Sequence, residues 1–236
     1  MCCNTVKIVS TYTDDQTGIV MSSQGTGFMI GPNAVATAAH VIYHRGSDGN
    51  FFVGHATIVP ANNTGSNPKP FGTAGAKKFY CGGGWANNGD YSDDWGIIEL
   101  KTNIGNKTGW LGLRWQSASY KNETTFVNGY PGKVNGHSNG ENCDSDMDLY
   151  FRHGKVNTSS KTNILESTDM FASHGDSGGP CYIYSIDTGY TAIGITSNVH
   201  PVNPKDKEGI NIDRVRFRTI DKALFERMVK YSTSTL

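Results

Sequence analysis

Nowhere in this sequence do apolar residues run for the roughly 18 positions that a membrane-crossing helix needs. The first thirty residues also hold no stretch long enough for a signal-peptide core. The chain therefore reads as soluble, given without a leader. An excess of charge is lacking too: 21 lysines and arginines balance 21 aspartates and glutamates. That removes the broad electrostatic reason to expect nucleic acid or an anionic membrane as a partner. Cysteine is sparse and unpatterned. Cys2, Cys3, Cys81, Cys143 and Cys181 form no C-x-x-C pair and have no histidine at ligand spacing, which argues against a structural zinc site. Their odd number leaves a thiol free or bonded to another chain. Secretion would permit disulfides, but the spacing does not encode their pairing. No repeat of about 20–50 residues is present.

What the chain has in abundance is glycine, 29 residues, together with many Asn, Ser and Thr. Such a composition describes short elements joined by frequent turns, so an all-β fold is expected. A length of 236 residues suits one large β domain or two small lobes and allows a sizeable core.

Strand-like segments follow one another from about Val6 to Met21, from Gly25 to Ile30 and from Val35 to Ala39, the last ending at His40. Arg45 to Lys78 is loop-rich, with Phe51 to Val59 its best strand. Gly82 to Asp90 is a glycine and asparagine loop leading into Asp93-Asp94-Trp95-Gly96-Ile97-Ile98-Glu99-Leu100, where two acids stand at the mouth of a buried strand. Polar residues 101 to 109 mark the boundary between an N-terminal lobe, 1–105, and a C-terminal lobe, 106–236. In the second lobe, strands are expected near Phe126 to Gly129, Leu149 to Val156, Cys181 to Ile186, Thr191 to Ser197 and Ile212 to Phe217. The terminal segment is helical, because Ile220, Leu224, Phe225 and Met228 share one face and Asp221 sits where the helix dipole favours an anion.

The chemistry centres on His174-Gly175-Asp176-Ser177-Gly178-Gly179-Pro180. A serine between glycines in a polar turn has the form of an exposed nucleophile backed by amide donors. It needs a base, and the base needs an orienting group. His40, Asp94 and Ser177 stand in that order at the ends of elements. They are the candidate base, orienting acid and nucleophile, with the backbone N–H groups of Gly175 and Ser177 as the oxyanion hole. Taken singly, each has a plainer reading as a structural histidine, a cap residue or a loop serine. Their order and setting together outweigh those readings. Gly175 to Gly179 also fits G-x-S-x-G, the nucleophile elbow of α/β-hydrolases, but that elbow needs a helix after the serine and then an acid and a histidine. Pro180 and a β-rich run follow instead, and only Asp187 and His200 remain downstream in that order.

On these residues the chain resembles the chymotrypsin-like serine peptidases, and most closely the secreted glutamyl endopeptidases. The likeness runs from about Ile19 to Lys230. It rests on Gly27 to Pro32, Val35 to Tyr43, Asp94 to Leu100 with Ile104-Gly105-Asn106, Gly129-Tyr130-Pro131-Gly132 and Gly175 to Pro180. The resemblance implies an all-β fold of two six-stranded antiparallel barrels, an active site in the cleft between them and a C-terminal helix packed on the second barrel. It maps the triad acid onto Asp94 and leaves Asp93 as a neighbour.

Departures from the family concern specificity. Where glutamyl endopeptidases carry a carboxylate-reading histidine, this chain has Thr196, and Ala172 replaces a small hydroxyl residue. A pocket of Phe171, Ala172, Thr196, Ser197 and Val199 has neutral walls, so an apolar or medium polar side chain competes with the acidic preference that the likeness implies. His174 and His200 are the remaining cationic candidates at its rim. Asp176 stands where the glutamyl group has Asn or Gln; in trypsin-like zymogens such an aspartate pairs with a released N-terminus. Here it is expected to find either a new N-terminus within the first ten residues or a basic side chain. Asp144, Asp146 and Asp148 alternate in a loop that lacks the glycine and glutamate of a Ca²⁺ site, so a solvated acidic loop is expected there.

The expectation is a secreted, monomeric serine endopeptidase acting on protein or peptide substrates. No cofactor, metal, nucleic acid or membrane span is expected. A catalytically silent binding module and an esterase on the same fold are the alternatives.

Overall fold

Short β-branched and aromatic runs, each bounded by glycine or polar turns, build two closed sheets. The computed structural model describes residues 3–14, 17–47, 49–131, 148–159, 161–170, 172–205 and 211–233, without the side chains of 199–205 and 211–213. In the first half, the strands are β1 (Thr5–Thr13), β2 (Val20–Met29), β3 (Ala34–Thr37), β4 (Tyr43–Gly46), β5 (Gly49–Phe52), β6 (His55–Pro60), β7 (Ala74–Cys81) and β8 (Gly96–Leu100). A single turn, α1 (Ala39–Ile42), follows β3, and α2 (Gly83–Asn88) lies between β7 and β8. Six of these strands close a barrel in the order β1-β2-β3-β8-β7-β6, while β4 and β5 form a separate hairpin.

After α3 (Gly105–Thr108) come β9 (Gly112–Leu113), β10 (Glu123–Gly129), β11 (Tyr150–Thr158), β12 (Ile164–Ser167), β13 (Pro180–Ser185), β14 (Gly189–Lys205) and β15 (Asn211–Thr219). Neighbours in the order β10-β11-β12-β15-β14-β13 pair antiparallel, and β13 closes the ring onto β10; β9 joins β14 in parallel. The fold is thus two six-stranded antiparallel barrels with one long terminal helix, α4 (Lys222–Ser232).

Alternation and register put Val6, Ile8, Val35, Ile58, Ile98 and Leu100 on one face of the first barrel's sheet and Phe28 and Ile97 on the other, all fully buried. Val127, Val156, Leu165, Ile193, Val215 and Phe217 fill the second. β4, β7, β9 and β12 lie where no strand was expected. β7 carries exposed lysines at 77 and 78 on one half-buried face, which hides its period, and β12 is only four residues long. The expected Phe51–Val59 strand breaks at Val53-Gly54 into β5 and β6, and the glycine and asparagine loop contains α2, ended by Gly89 at φ 68°.

Helix α4 starts as its sequence indicates, with the Asp221 carboxylate accepting from Leu224 N–H at 2.9 Å. Its packing differs from the expectation. The Ile220 N–H bonds to the Ile193 carbonyl (2.7 Å), which pins the helix start at the seam, and Leu224 and Met228 then join the first barrel's core. Tyr231 meets Tyr80 of β7 with ring centroids 4.3 Å apart. A helix leaving β15 at the seam buries its apolar face against the nearest uncovered strands, and those belong to the first barrel. Among the described residues, no helix is long and apolar enough to cross a membrane.

Candidate active site

His40 sits in α1, one turn beyond β3, where Thr37 Oγ1 ties the strand end to the Thr26 carbonyl (2.7 Å). Asp94 follows a 3-10 turn, Tyr91–Asp93, which Asp90 caps by accepting from Ser92 N–H. Asp94 is fully buried and accepts three hydrogen bonds: from His40 N–H (3.0 Å), from the His40 ring Nδ1 (2.8 Å) and from Ser197 Oγ (2.6 Å). The carboxylate assigns the ring proton to Nδ1 and leaves Nε2 as an acceptor. Burial pulls the His40 pKa down, but the Asp94 charge and hydrogen bond outweigh it, so the imidazole titrates above its ordinary 6.5.

Asp93 has a different task. Its carboxylate accepts from Gly84 N–H (2.7 Å) and Trp95 Nε1 (2.6 Å), which holds α2 against the strand mouth. Arg45 donates to the carbonyls of Trp85 and Ala86 from the other side. Trp85 is thereby placed beside His40, with ring centroids 5.7 Å apart, and Tyr91 lies edge-on to it.

Ser177 heads a loop whose amides are sorted by partner. The N–H groups of Asp176, Gly178 and Gly179 bond to the carbonyls of Ser173, Thr196 and Asp176. Those of Gly175 and Ser177 have no acceptor among the described residues. Thr26 Oγ1 donates to the Gly175 carbonyl (2.7 Å) and accepts from Tyr130 N–H (2.9 Å), so that carbonyl is turned into the protein. Gly178, at φ 88°, lies where a Cβ would collide with Thr26 O and Thr37 Oγ1.

Asp176, 1% exposed, reaches inward to Arg152 of β11, with Arg152 Nη1 to Asp176 Oδ1 at 3.0 Å, and its other oxygen accepts from Ser173 N–H (2.9 Å). A Cβ on Gly129 would strike Asp176 Oδ1, so glycine there makes room for the carboxylate. Burial raises the Asp176 pKa, and Arg152 and the Ser173 amide oppose that rise. Of the two partners considered from sequence, the basic side chain is the one present.

His40 and Ser177 line one cavity of about 560 Å³ with Trp85, Tyr91, Ala172, Ser173, His174, Thr196, Ser197 and Asn198. Thr196 Oγ1 and Asn198 Oδ1 are buried there without a partner among the described residues. Of the candidate pocket residues, Ala172, His174, Thr196 and Ser197 therefore lie at the cavity, and Ser197 serves Asp94 as well. Phe171 lies outside the described residues. Val199 and His200 lie on β14 with their side chains outside the described residues, and Asp144, Asp146, Cys2 and Cys143 lie outside them altogether. Asp148 is described, and it accepts from Thr64 N–H and Oγ1.

Sequence reading missed Trp85, Tyr91, Asn198, Thr26 and Arg152. A lone tryptophan in a glycine-rich loop was a signal for the first; the other contacts leave no local trace. The expected disulfides are not formed by Cys3, Cys81 or Cys181, which are free thiols. Burial pushes Cys81 up to about 11 and Cys181 up to about 12, so neither is a thiolate at neutral pH. Among the described residues, no cluster of three or more His, Cys, Asp or Glu is placed to hold a metal ion.

Two closed barrels, with a buried Asp bonded to a partly exposed His and a glycine-flanked serine at one cavity, define the chymotrypsin-like class. The chain belongs to the trypsin family, whose model, described as Trypsin, matches residues 8–219. It is 39% identical over 107 residues, 45% of this chain and 32% of the relative, to a glutamyl endopeptidase of Bacillus licheniformis. It is 33% identical over 175 residues, 73% of this chain and 50% of the relative, to a protein of Bacillus subtilis named extracellular metalloprotease. The chain thus spans half or less of the length of these curated relatives. Among solved structures, the thermostable serine protease AL20 from an extremophilic microorganism aligns with a TM-score of 0.75 at 18% identity, covering 99% of both chains. A Glu endopeptidase in complex with MPD aligns at 0.70 and 20%, covering 99% of this chain and 92% of that one. At these identities the likeness speaks for the fold alone.

Proposed function

We propose that this chain is a secreted serine endopeptidase, monomeric and cofactor-independent, with its lobes dividing at residues 105 and 106. Ser177 Oγ attacks the scissile carbonyl while His40 Nε2 takes its proton. The N–H groups of Gly175 and Ser177 receive the oxyanion, each such donor being worth about 3 kcal/mol. The C–N bond then breaks as His40 passes the proton to the leaving amine. Water, deprotonated by the same nitrogen, releases the acyl group and restores the serine. Asp94 keeps the ring oriented and stabilises its cationic form. The observation that carries this reading is the threefold anchoring of Asp94, which aims a neutral His40 nitrogen into the cavity that Ser177 lines.

The test is Ser177→Ala, which should lower turnover on the order of 10⁶-fold while the protein folds normally. A sulfonyl fluoride should label Ser177 in the native chain. Absence of labelling would favour a silent binding module, and ester turnover without peptide cleavage would favour an esterase.

The relatives' names suggest glutamate before the scissile bond. Among its described lining residues, the cavity, however, presents Thr196 and Asn198 as neutral partners, with His174 the one histidine besides His40. Paired peptides with Glu or Gln at that position should therefore be cleaved with kcat/KM values within about tenfold of each other, since no full charge pair separates them.

A further inference from the structure

Thr26 lies on β2 of the first barrel, fully buried, and the nucleophile loop is built onto it. All of its polar functions are committed. The N–H donates to the Ser177 carbonyl (2.8 Å) and the carbonyl accepts from Thr37 Oγ1 (2.7 Å). Oγ1 accepts from Tyr130 N–H (2.9 Å) and donates to the Gly175 carbonyl (2.7 Å). The direction of these last two bonds is unambiguous, since an N–H can only donate and a carbonyl only accept. Thr26 thus holds the carbonyls of both residues whose N–H groups form the proposed oxyanion hole, Gly175 and Ser177.

Gly175 needs such a holder. It sits at φ 100° without a Cβ, so little steric resistance opposes rotation of the peptide planes on either side of it. The plane between Gly175 and Asp176 is fixed at two points: Asp176 N–H donates to the Ser173 carbonyl (3.0 Å), and the Gly175 carbonyl accepts from Thr26. The first bond lies inside the loop and moves with it, whereas the second ties the plane to a barrel strand. If the plane turned over, the Gly175 carbonyl would leave the protein interior for the cavity side. Its lone pairs would then face the oxygen that gains negative charge in the reaction. A site built of donors would become a repulsive one, and preorganised donors of this kind are commonly the largest single contribution to catalysis.

We propose that the Thr26 hydroxyl is a positioning group for the oxyanion hole. It acts through the Gly175 carbonyl, without touching substrate, to keep the hole's donors aimed at the cavity. The proposal rests on the serine-peptidase reading. Thr26→Val is the sharpest perturbation, because it keeps the β-branched shape and exchanges the hydroxyl for a methyl. A carbon atom approaches a carbonyl oxygen no closer than about 3.3 Å, so the Gly175 carbonyl is both unbonded and pushed from its present place.

Thr26→Val should lower kcat about 10²–10³-fold, as for loss of one oxyanion donor, with KM within about threefold of native. Turnover is taken per active site, counted by titrating Ser177 to completion with a sulfonyl fluoride, so that a loss of folded protein does not enter. Thr26→Ser keeps the hydroxyl and should rescue kcat to within about threefold of native. A peptide aldehyde gives a second readout. Ser177 Oγ adds to its carbonyl carbon, His40 takes the serine proton, and the former carbonyl oxygen takes the oxyanion position. Its inhibition constant should rise in Thr26→Val by about the factor by which kcat/KM falls. The acid limb of the pH profile should stay at its native position, because the His40–Asp94 bond is untouched. If Thr26→Val does not fold, Thr26→Ala carries the same test, with a fall in kcat of at least about tenfold expected. Turnover per site within about threefold of native in the variant that lacks the hydroxyl overturns the proposal. So does a Thr26→Ser protein as slow as Thr26→Val, unchanged aldehyde inhibition, or a displaced acid limb. A native protein that cuts no peptide and leaves Ser177 unlabelled would instead bring down the peptidase reading, and the role of Thr26 with it.

Discussion

Replacing Arg152 by Met removes the cation bonded to Asp176 and leaves the methylene volume largely in place. The carboxylate is 1% exposed, so water does not replace the lost partner. Breaking a buried pair from one side costs about 3–5 kcal/mol. A second route gives a similar ceiling. Asp176 can escape its charge by protonation, which at pH 7 costs about 3 pH units from an ordinary carboxylate pKa, or about 4 kcal/mol. For a chain of this length that is a fall in Tm of about 8–16 °C. The sign of the pH dependence follows from the raised pKa of Asp176, which rises further once Arg152 is gone. A group whose folded pKa is raised favours the folded state at low pH and loses that advantage as pH rises through the folded value. The deficit of the variant should therefore be about 4 kcal/mol at pH 7 and shrink to about 1.5 kcal/mol at pH 5. Thermal unfolding at the two pH values measures it. Titration with a sulfonyl fluoride measures the fraction of molecules with an ordered nucleophile loop, and kcat in the remainder should fall about 10²–10³-fold, as for loss of one oxyanion donor. Adding Asp176→Asn should restore most of the Tm. A deficit under about 1 kcal/mol at pH 7, or one that does not change with pH, would refute the view that Arg152 holds this loop through Asp176.

Asp94→Asn should lower kcat by about 10⁴-fold with little change in Tm, because the ring loses its proton acceptor and adopts the wrong tautomer. Asp93→Asn should do the reverse. It weakens the bonds to Gly84 and Trp95, costs about 1–3 kcal/mol in thermal unfolding and leaves kcat near native. The acid limb of the kcat/KM profile should lie above pH 6.5, since His40 must be neutral to accept the Ser177 proton and its pKa is raised. The same raised pKa adds stability below pH 6.5 that fades as pH rises through the limb, so activity appears as this contribution disappears. In Asp94→Asn only desolvation acts on the ring, and the limb should move below 6.5; an unmoved limb would remove His40 from the role of base.

Much of the fold was legible because its signals are local. The short buried runs Ala34 to Thr37 and Gly96 to Leu100, the glycine turns and the Asp221 cap each lie within a few residues, and each acts over that range. β7 and α2 were not legible, since two surface lysines blur the period of one and glycine with asparagine has poor helix propensity in the other. Trp85 stands in the cavity because Arg45 and Asp93 clamp α2 from both sides, and that is a property of packing.

By itself, the sequence determined the chemistry on offer: a glycine-flanked serine, a histidine at a strand end and an acid at a strand mouth, all readable from short motifs. Composition and turn content also determined the all-β expectation, while the two barrels were what the resemblance implied. Only the tertiary structure decided which partners those groups have. The Thr26–Gly175 bond spans 149 residues, the Ser197–Asp94 bond 103 and the Arg152–Asp176 pair 24. Any of the chain's 21 lysines and arginines would have satisfied the sequence as a cation for Asp176. Closure of the second barrel brings the one on β11 to it, because a buried carboxylate is stable only where the fold supplies a counter-charge and N–H donors together.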